Sequence, residues 1–411
     1  MSSHTAKAGL NPLQSPTLNA PSGSFSPDPS TVRFERADGM DDLDCAKAKA
    51  ILKQLKPISN KLREENPTAA LYTIQKLVGA GGFGFVFQAS MQENGDKRQV
   101  AIKFQQDHKR SHDEQKIHHL ASIEGHANIV SYIAGYYLEK YQITVSQYIE
   151  GKNLREYLDE TRENPRMLER RYLLNDILKG TGYLHEIGVY HYDLKCSNIM
   201  LELRDATAVC GSRYIAKITD FGLSVTHSLG LSEVQGVGTA PYRAPELITQ
   251  PEDILKRSLG KADIWSIGII TIAMMGCQYP WFEASMAVEA YKNFIDSPRI
   301  HSLRTRGFRL CVQLPFLLNY PTVRELIAMA LHPEPSRRAS ATGMRYVIQS
   351  QTFIQEWDTM KQVEPLTPTI RVHKASKNPF PPRQIQSEQP PLKKLKYDVT
   401  SSRRKQGIRA Y

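Results

Sequence analysis

The chain has 411 residues, 41% of them hydrophobic, with three Trp and a formal net charge of +11. That size and composition suit a protein that buries a substantial core in about two or three units, and they exclude a fibre or a disulfide mini-scaffold. The charge is uneven: residues 371–411 hold eleven Lys and Arg against Glu388 and Asp398, a net of +9, so everything before them carries only +2. The basic character therefore belongs to a tail, which argues against a folded nucleic-acid surface. Cys45, Cys196, Cys210, Cys277 and Cys311 are scattered without a CxxC, the pattern of reduced thiols in an intracellular protein rather than of a disulfide framework or zinc site. The longest nearly apolar run, 264–277, is 14 residues, short of the roughly 20 needed to span a bilayer.

Residues 1–40 are rich in Ser, Pro, Thr and Asn and lack apolar periodicity, so they are expected to be disordered. Ser15-Pro16 and Ser26-Pro27 there are possible sites for proline-directed kinases. No apolar h-region, and hence no secretory signal, is expected. An acidic start followed by Ala46, Ala48, Ile51, Leu52 and Leu55 predicts a short helical extension within 41–66, broken near Pro57.

From Leu71 the pattern is that of strands. Residues 71–78 lead into a glycine-rich run, Val78-Gly79-Ala80-Gly81-Gly82-Phe83-Gly84, which passes directly into Phe85-Val86-Phe87. In a dinucleotide-binding fold such glycines open a helix; here they join two strands, a hairpin whose backbone can close over phosphates. Asn94-Gly95 marks the next turn, before Val100-Ala101-Ile102-Lys103. A helix follows, with Ile117, Leu120 and Ile123 as its expected buried face. His108, His112, His118 and His119 on it lack accompanying cysteines or an acidic motif, so a solvated face is expected rather than a metal site. Residues 141–151 read as a strand entering a linker, and Leu173, Leu174, Ile177, Leu178, Thr181 and Leu184 have helical spacing.

The stretch His191-Tyr192-Asp193-Leu194-Lys195-Cys196-Ser197-Asn198 places an acid, a lysine and an amide on one short loop, and Asp220-Phe221-Gly222 follows 27 residues after Asp193. These groups are what phosphoryl transfer to a hydroxyl requires: a carboxylate to accept or orient the proton, an ammonium to neutralise the moving phosphate, and oxygen ligands for a magnesium ion. The interval 201–218 is expected to be an extended hairpin around Cys210-Gly211. The folded part is expected to end near Trp357. Beyond it Pro, Lys, Arg, Ser and Gln dominate 358–411, a second disordered stretch in which 393–396 and 403–405 have the look of a two-part nuclear import signal.

The loop at 191–198 and the Asp220-Phe221-Gly222 triplet resemble the HRDLxxxN and DFG signatures of the eukaryotic protein kinase superfamily, with Tyr192 where the family usually has Arg. The resemblance extends over residues 67–357. It implies an α+β, two-lobed fold: a β-rich N-lobe at about 67–149 and a mainly helical C-lobe at about 150–357. It also implies an ATP-dependent serine/threonine protein kinase that uses Mg2+ and acts on Ser or Thr hydroxyls of protein substrates. Asp193, Lys195 and Lys103 take the catalytic roles, and Asn198 and Asp220 the metal. Val78, Gly79, Ala80, Gly81, Gly82, Phe83, Gly84, Val86, Ala101, Lys103, Gln147 and Tyr148 join them around the nucleotide. Lys195 and Gly238-Thr239 belong to the serine/threonine type, with Thr239 bridging Asp193 and Lys195.

By the same resemblance a Glu on the helix should hold Lys103. An ungapped alignment from His126 puts Lys116 there, and Glu114 becomes the partner if the helix is offset. Ser146 guards the back of the adenine pocket, Asp263 fastens the catalytic loop, and Glu246 pairs with Arg338. Tyr192 cannot grip a phosphate on the activation segment as Arg does, so Ser224, Thr226, Ser228 and Ser232 there are expected to matter less for activity than in relatives with Arg. The alternative is a catalytically inactive kinase-like scaffold binding partners through its fold and tails. The tail could meet an import receptor or an anionic surface, and a nuclear or cytoplasmic location, without specific nucleic-acid binding or a membrane span, completes the expectation.

Overall fold

The computed structural model describes residues 23–26, 46–50, 53, 70–81, 84–93, 95–106, 109–138, 141–204, 212–228, 236–249, 259–297 and 299–360. Five antiparallel strands form the first lobe: β2 (Ala70–Gly81), β3 (Gly84–Glu93), β4 (Asp96–Gln106), β5 (Tyr132–Leu138) and β6 (Tyr141–Gln147), in the order 2-3-4-6-5. A further strand, β1 (Gly23–Ser26), runs parallel along the β2 edge. It lies inside the stretch expected to be disordered, and its pairing shows that four of those residues find backbone partners. The β3–β4 hairpin closes with Glu93 opposite Asp96, and Gly95 lies in its turn; Asn94 falls outside the described residues.

One side of this sheet is an apolar core in which Phe87 and Phe104 meet edge to face at 5.5 Å. A fully buried Phe contributes about 1.5–3 kcal/mol over an exposed one. Residues 46–50 are helical and Ala48 is buried in the same core, so this part of the 41–66 extension packs on the domain. Helix α1 (Lys109–Ser122) lies against the sheet between β4 and β5.

The second lobe opens with α2 (Leu154–Glu160) and α3 (Met167–Glu186); on α3, Leu173, Leu174, Ile177, Leu178, Thr181 and Leu184 are all buried as their spacing predicts. The short β7 (Val189–Tyr190) pairs with β10 (Val225–Thr226), and β8 (Ile199–Leu203) with β9 (Tyr214–Ile218). The last pair supplies the arms of the expected hairpin; its tip, including Cys210-Gly211, lies outside the described residues. After α4 (Glu246–Thr249), α5 (Lys261–Met274) runs through the centre of the lobe, buried almost all round. A helix apolar on every face belongs in a core, and among the described residues no helix is long and apolar enough to cross a membrane. Around it pack α6 (Glu289–Ile295), α7 (Leu303–Gln313), α8 (Pro321–Ala330), α9 (Ala341–Ile348) and α10 (Gln351–Asp358). On α10, Trp357 is fully buried and donates its indole N–H to the carbonyl of Met167 at 2.8 Å.

Candidate active site

The catalytic loop is fixed from beneath. The Asp263 carboxylate, at the start of α5, accepts the backbone N–H of His191 at 2.9 Å and that of Tyr192 at 2.8 Å, and His185 Nε2 lies 2.9 Å from it. Burial works to raise its pKa, but His185 and these hydrogen bonds outweigh it and hold the carboxyl below its ordinary range. Tyr192 is thereby held at φ 59° and Asp220 sits at φ 67°, conformations that L residues with a Cβ rarely adopt and that concentrate at functional sites.

On this platform Asp193 is the hub. Its Oδ2 accepts from Lys195 Nζ at 2.6 Å and from Asn198 Nδ2 at 3.3 Å; its Oδ1 accepts the Thr239 N–H at 2.9 Å and the Thr239 hydroxyl at 2.8 Å. Lys195 also donates to Thr239 Oγ1 at 3.0 Å, so Thr239 bridges the two as anticipated.

The first lobe contributes Lys103, 2.6 Å from Glu114 Oε1 and 2.9 Å from Asp220 Oδ1. Burial would lower the lysine's pKa, but the two carboxylates outweigh it and hold it above its ordinary value. The same ammonium overcomes the effect of burial on Asp220 and keeps that carboxyl below the usual range. Glu114, not Lys116, is thus the partner: the helix presents Glu114, Ile117, His118 and Ala121 inward, an i, i+3, i+4, i+7 stripe, while Lys116 is exposed.

That register corrects two further expectations. Ile123 is not on the buried face; it is 64% exposed. His118 is not solvated: it is buried, stacks on Phe221 at 4.7 Å and lies 2.8 Å from the carbonyl of Val130. His119 lies exposed; His108 falls outside the described residues, as does the side chain of His112.

The glycine-rich run forms the β2–β3 hairpin. Gly81 faces Gly84, Gly79 faces Val86, and Val86 in turn faces Lys103 on β4, with Ala101 two residues before it. At Gly84, φ is 117° and a Cβ would lie 2.1 Å from the carbonyl oxygen of Phe104, so no other residue fits without moving the backbone. Val78 and Ala80 lie on β2 beside Gly79, whereas Gly82 and Phe83 fall outside the described residues. Gln147 ends β6 with its N–H spent on the Ser131 carbonyl, and Tyr148 begins the linker to the second lobe; Ser146 lies opposite Ala101.

Asp220 Oδ1 accepts from Lys103 Nζ, and Asn198 is oriented by Nδ2 donations to the Asp193 carbonyl at 3.0 Å and to its carboxylate. What the two residues have left to offer is oxygen, Oδ2 of one and Oδ1 of the other, the donor type that hard divalent cations take. The site therefore fits a metal-bound polyphosphate.

The activation segment shows two of its four hydroxyl residues enclosed. Ser224 and Thr226 are buried, Ser224 with its hydroxyl donating to the His191 carbonyl at 3.3 Å, so they are structural rather than open to modification; Ser228 is exposed and Ser232 lies outside the described residues. Tyr192 is buried, and burial first, then Asp263 and Glu246, raise its pKa, so it stays a neutral phenol. Behind the segment Glu246 and Arg338 form two contacts of 2.7 Å, with the guanidinium 4.9 Å over Trp265.

A family profile described as "Protein kinase domain" matches residues 72–351. The chain belongs to the protein kinase family. Serine/threonine-protein kinase CST20 of Candida albicans is 28% identical over 312 residues, 75% of this chain and 23% of that protein. Serine/threonine-protein kinase STE20 of Saccharomyces cerevisiae is 26% identical over 329 residues, covering 79% and 32%. A probable serine/threonine-protein kinase, mkcD of Dictyostelium discoideum, is 23% identical over 335 residues, covering 79% and 46%. The chain thus spans less than half the length of these relatives.

Beyond the expected residues, the kinase domain places three others at the site. His118 backs Phe221, and Glu202 and Lys217 contact Gln147. Lys217 carried a signal: it is a charge inside the otherwise apolar strand that delivers Asp220.

Proposed function

We propose that this chain is an active ATP-dependent protein kinase that transfers the γ-phosphate to Ser or Thr hydroxyls of protein substrates. The observation that carries this reading is the chain of contacts from Glu114 through Lys103 to Asp220, with Asp193, Lys195 and Thr239 assembled as a second cluster. An inactive scaffold has no need to hold these charges together, since partly buried ion pairs contribute little net stability.

In this reading Asp193 orients the acceptor hydroxyl and takes its proton, Lys195 offsets charge developing on the transferred group, and Lys103 holds the phosphates of ATP under the glycine-rich hairpin. Rate enhancement comes from positioning and charge complementarity rather than a covalent intermediate. Mg2+ on Asp220 and Asn198 would neutralise the phosphate oxygens. The buried, neutral Tyr192 offers no charge to a phosphorylated activation segment, which supports activity without that modification. The scattered cysteines and basic tail favour a nuclear or cytoplasmic protein, the tail contacting an import receptor or an anionic surface. Purified chain, incubated with labelled ATP, Mg2+ and a generic protein substrate, should transfer label; equal inactivity of wild type and Asp193→Asn would favour the scaffold.

A further inference from the structure

Three side chains from both lobes close a polar ring behind the linker. Gln147 Nε2 donates to Glu202 Oε1 at 2.7 Å, Lys217 Nζ donates to Gln147 Oε1 at 3.2 Å, and Lys217 lies 3.2 Å from Glu202 Oε2. Only one orientation of the amide satisfies both contacts, with its nitrogen to the carboxylate and its oxygen to the ammonium. Lys217 has a side-chain exposure of 10% and Glu202 of 31%, so the ring is shielded enough for its charge-assisted bonds to have consequence.

The position of the ring matters more than its strength. Glu202 is on β8 and Lys217 on β9, and these two strands adjoin the groups that would face the phosphates: β8 begins immediately after Asn198, and β9 ends two residues before Asp220. The same hairpin touches the linker at two further points. Leu201 N–H donates to the Lys152 carbonyl at 2.9 Å, and Gly151 comes so close to the Leu201 carbonyl oxygen that a Cβ would sit 2.6 Å from it. The linker that would offer backbone groups to adenine is therefore referenced directly to the hairpin that holds Asn198 and Asp220.

We propose that Lys217 and Glu202 are positioning residues for the nucleotide: through the Gln147 side chain they set the spacing between the adenine end of the site and its phosphate end. The proposal rests on the nucleotide reading above. Without the ring the linker loses its side-chain tie, and nucleotide must restore the spacing at the expense of its own affinity.

The test is calorimetric titration of the full chain with Mg2+ and ADP, beside initial rates at varied ATP. Lys217→Met and Gln147→Leu should each raise the Kd for ADP and the KM for ATP roughly tenfold, the loss of one charge-assisted bond, while kcat falls by less than KM rises. Lys217→Arg should recover most of the affinity, and the double variant should be no weaker than the weaker single one. Thermal melts accompany each variant, and Gln147→Leu, which removes no charge, serves where Lys217→Met fails to fold. ADP affinities within about twofold of wild type, or losses that multiply in the double variant, would overturn the proposal. A wild type that binds no ADP would overturn the nucleotide reading and the proposal with it, whereas a binding wild type with unchanged variants would overturn the proposal alone.

Discussion

Protonation of His118 should loosen the active arrangement. The ring is stacked on Phe221 at 4.7 Å, meets Tyr132 edge-on at 5.5 Å, and lies with Nε2 2.8 Å from the Val130 carbonyl, an acceptor that requires the Nε2–H tautomer. Burial lowers its pKa most; the Val130 bond opposes this, Lys103 adds to it, and the balance brings it from 6.5 down to about 4. Between those values the unfolded chain binds the proton more readily than the folded one. Stability is therefore complete above pH 6.5 and is lost as pH falls toward 4, by about 2 kcal/mol at pH 5 from this group alone. His332, also depressed to about 4, acts in the same direction, so the wild-type curve by itself does not isolate His118. His118→Leu does: urea unfolding of both chains at pH 7.5 and pH 5 should show the variant losing about 2 kcal/mol less on acidification. NMR titration of the imidazole gives the pKa directly. Equal acid sensitivity of the two chains, or a His118 that titrates near 6.5, would refute this reasoning.

Three further outcomes follow from the geometry. Arg338→Leu leaves Glu246 buried without its cation and should cost roughly 3–5 kcal/mol in urea unfolding. Gln142 is fully buried with neither amide atom hydrogen-bonded, so Gln142→Met, similar in volume and without the polar cost, should raise stability by about 1–3 kcal/mol in the same assay. Alanine at Ser228 and Ser232 together should leave initial rates within about threefold of wild type, because the buried phenol of Tyr192 cannot supply the charge that a phosphate there would need; a loss of about a hundredfold would show that the segment is switched by phosphorylation after all.

The parts of the site carried by short, contiguous stretches are legible in the amino-acid sequence. Asp193, Lys195 and Asn198 share one loop, and the glycines and Lys103 lie on one hairpin and the strand after it, so their spacing along the chain is nearly their spacing in space. The offset of α1 is not legible, because that helix has too few apolar residues to mark its inner face. Its seat is decided by Glu114 meeting Lys103 and by His118 meeting Phe221, both contacts with distant segments. For the same reason His118 reads as solvated, and the ring of Gln147, Glu202 and Lys217, drawn from three strands, leaves only a lone lysine in an apolar strand as its trace. Backbone pairing at β1 has no side-chain signature in Gly23-Ser-Phe-Ser26 that separates it from the surrounding Ser/Pro-rich sequence.

The most direct measurement is the initial rate of phosphate transfer from labelled ATP to a protein acceptor, wild type against Asp193→Asn, with Mg2+ present and Lys103 and Glu114 intact. Transfer by the wild type that falls by about a hundredfold or more in the variant is the predicted result, since the amide keeps the shape of the hub but cannot accept the hydroxyl proton. Label moved equally by both chains, or by neither, would contradict it.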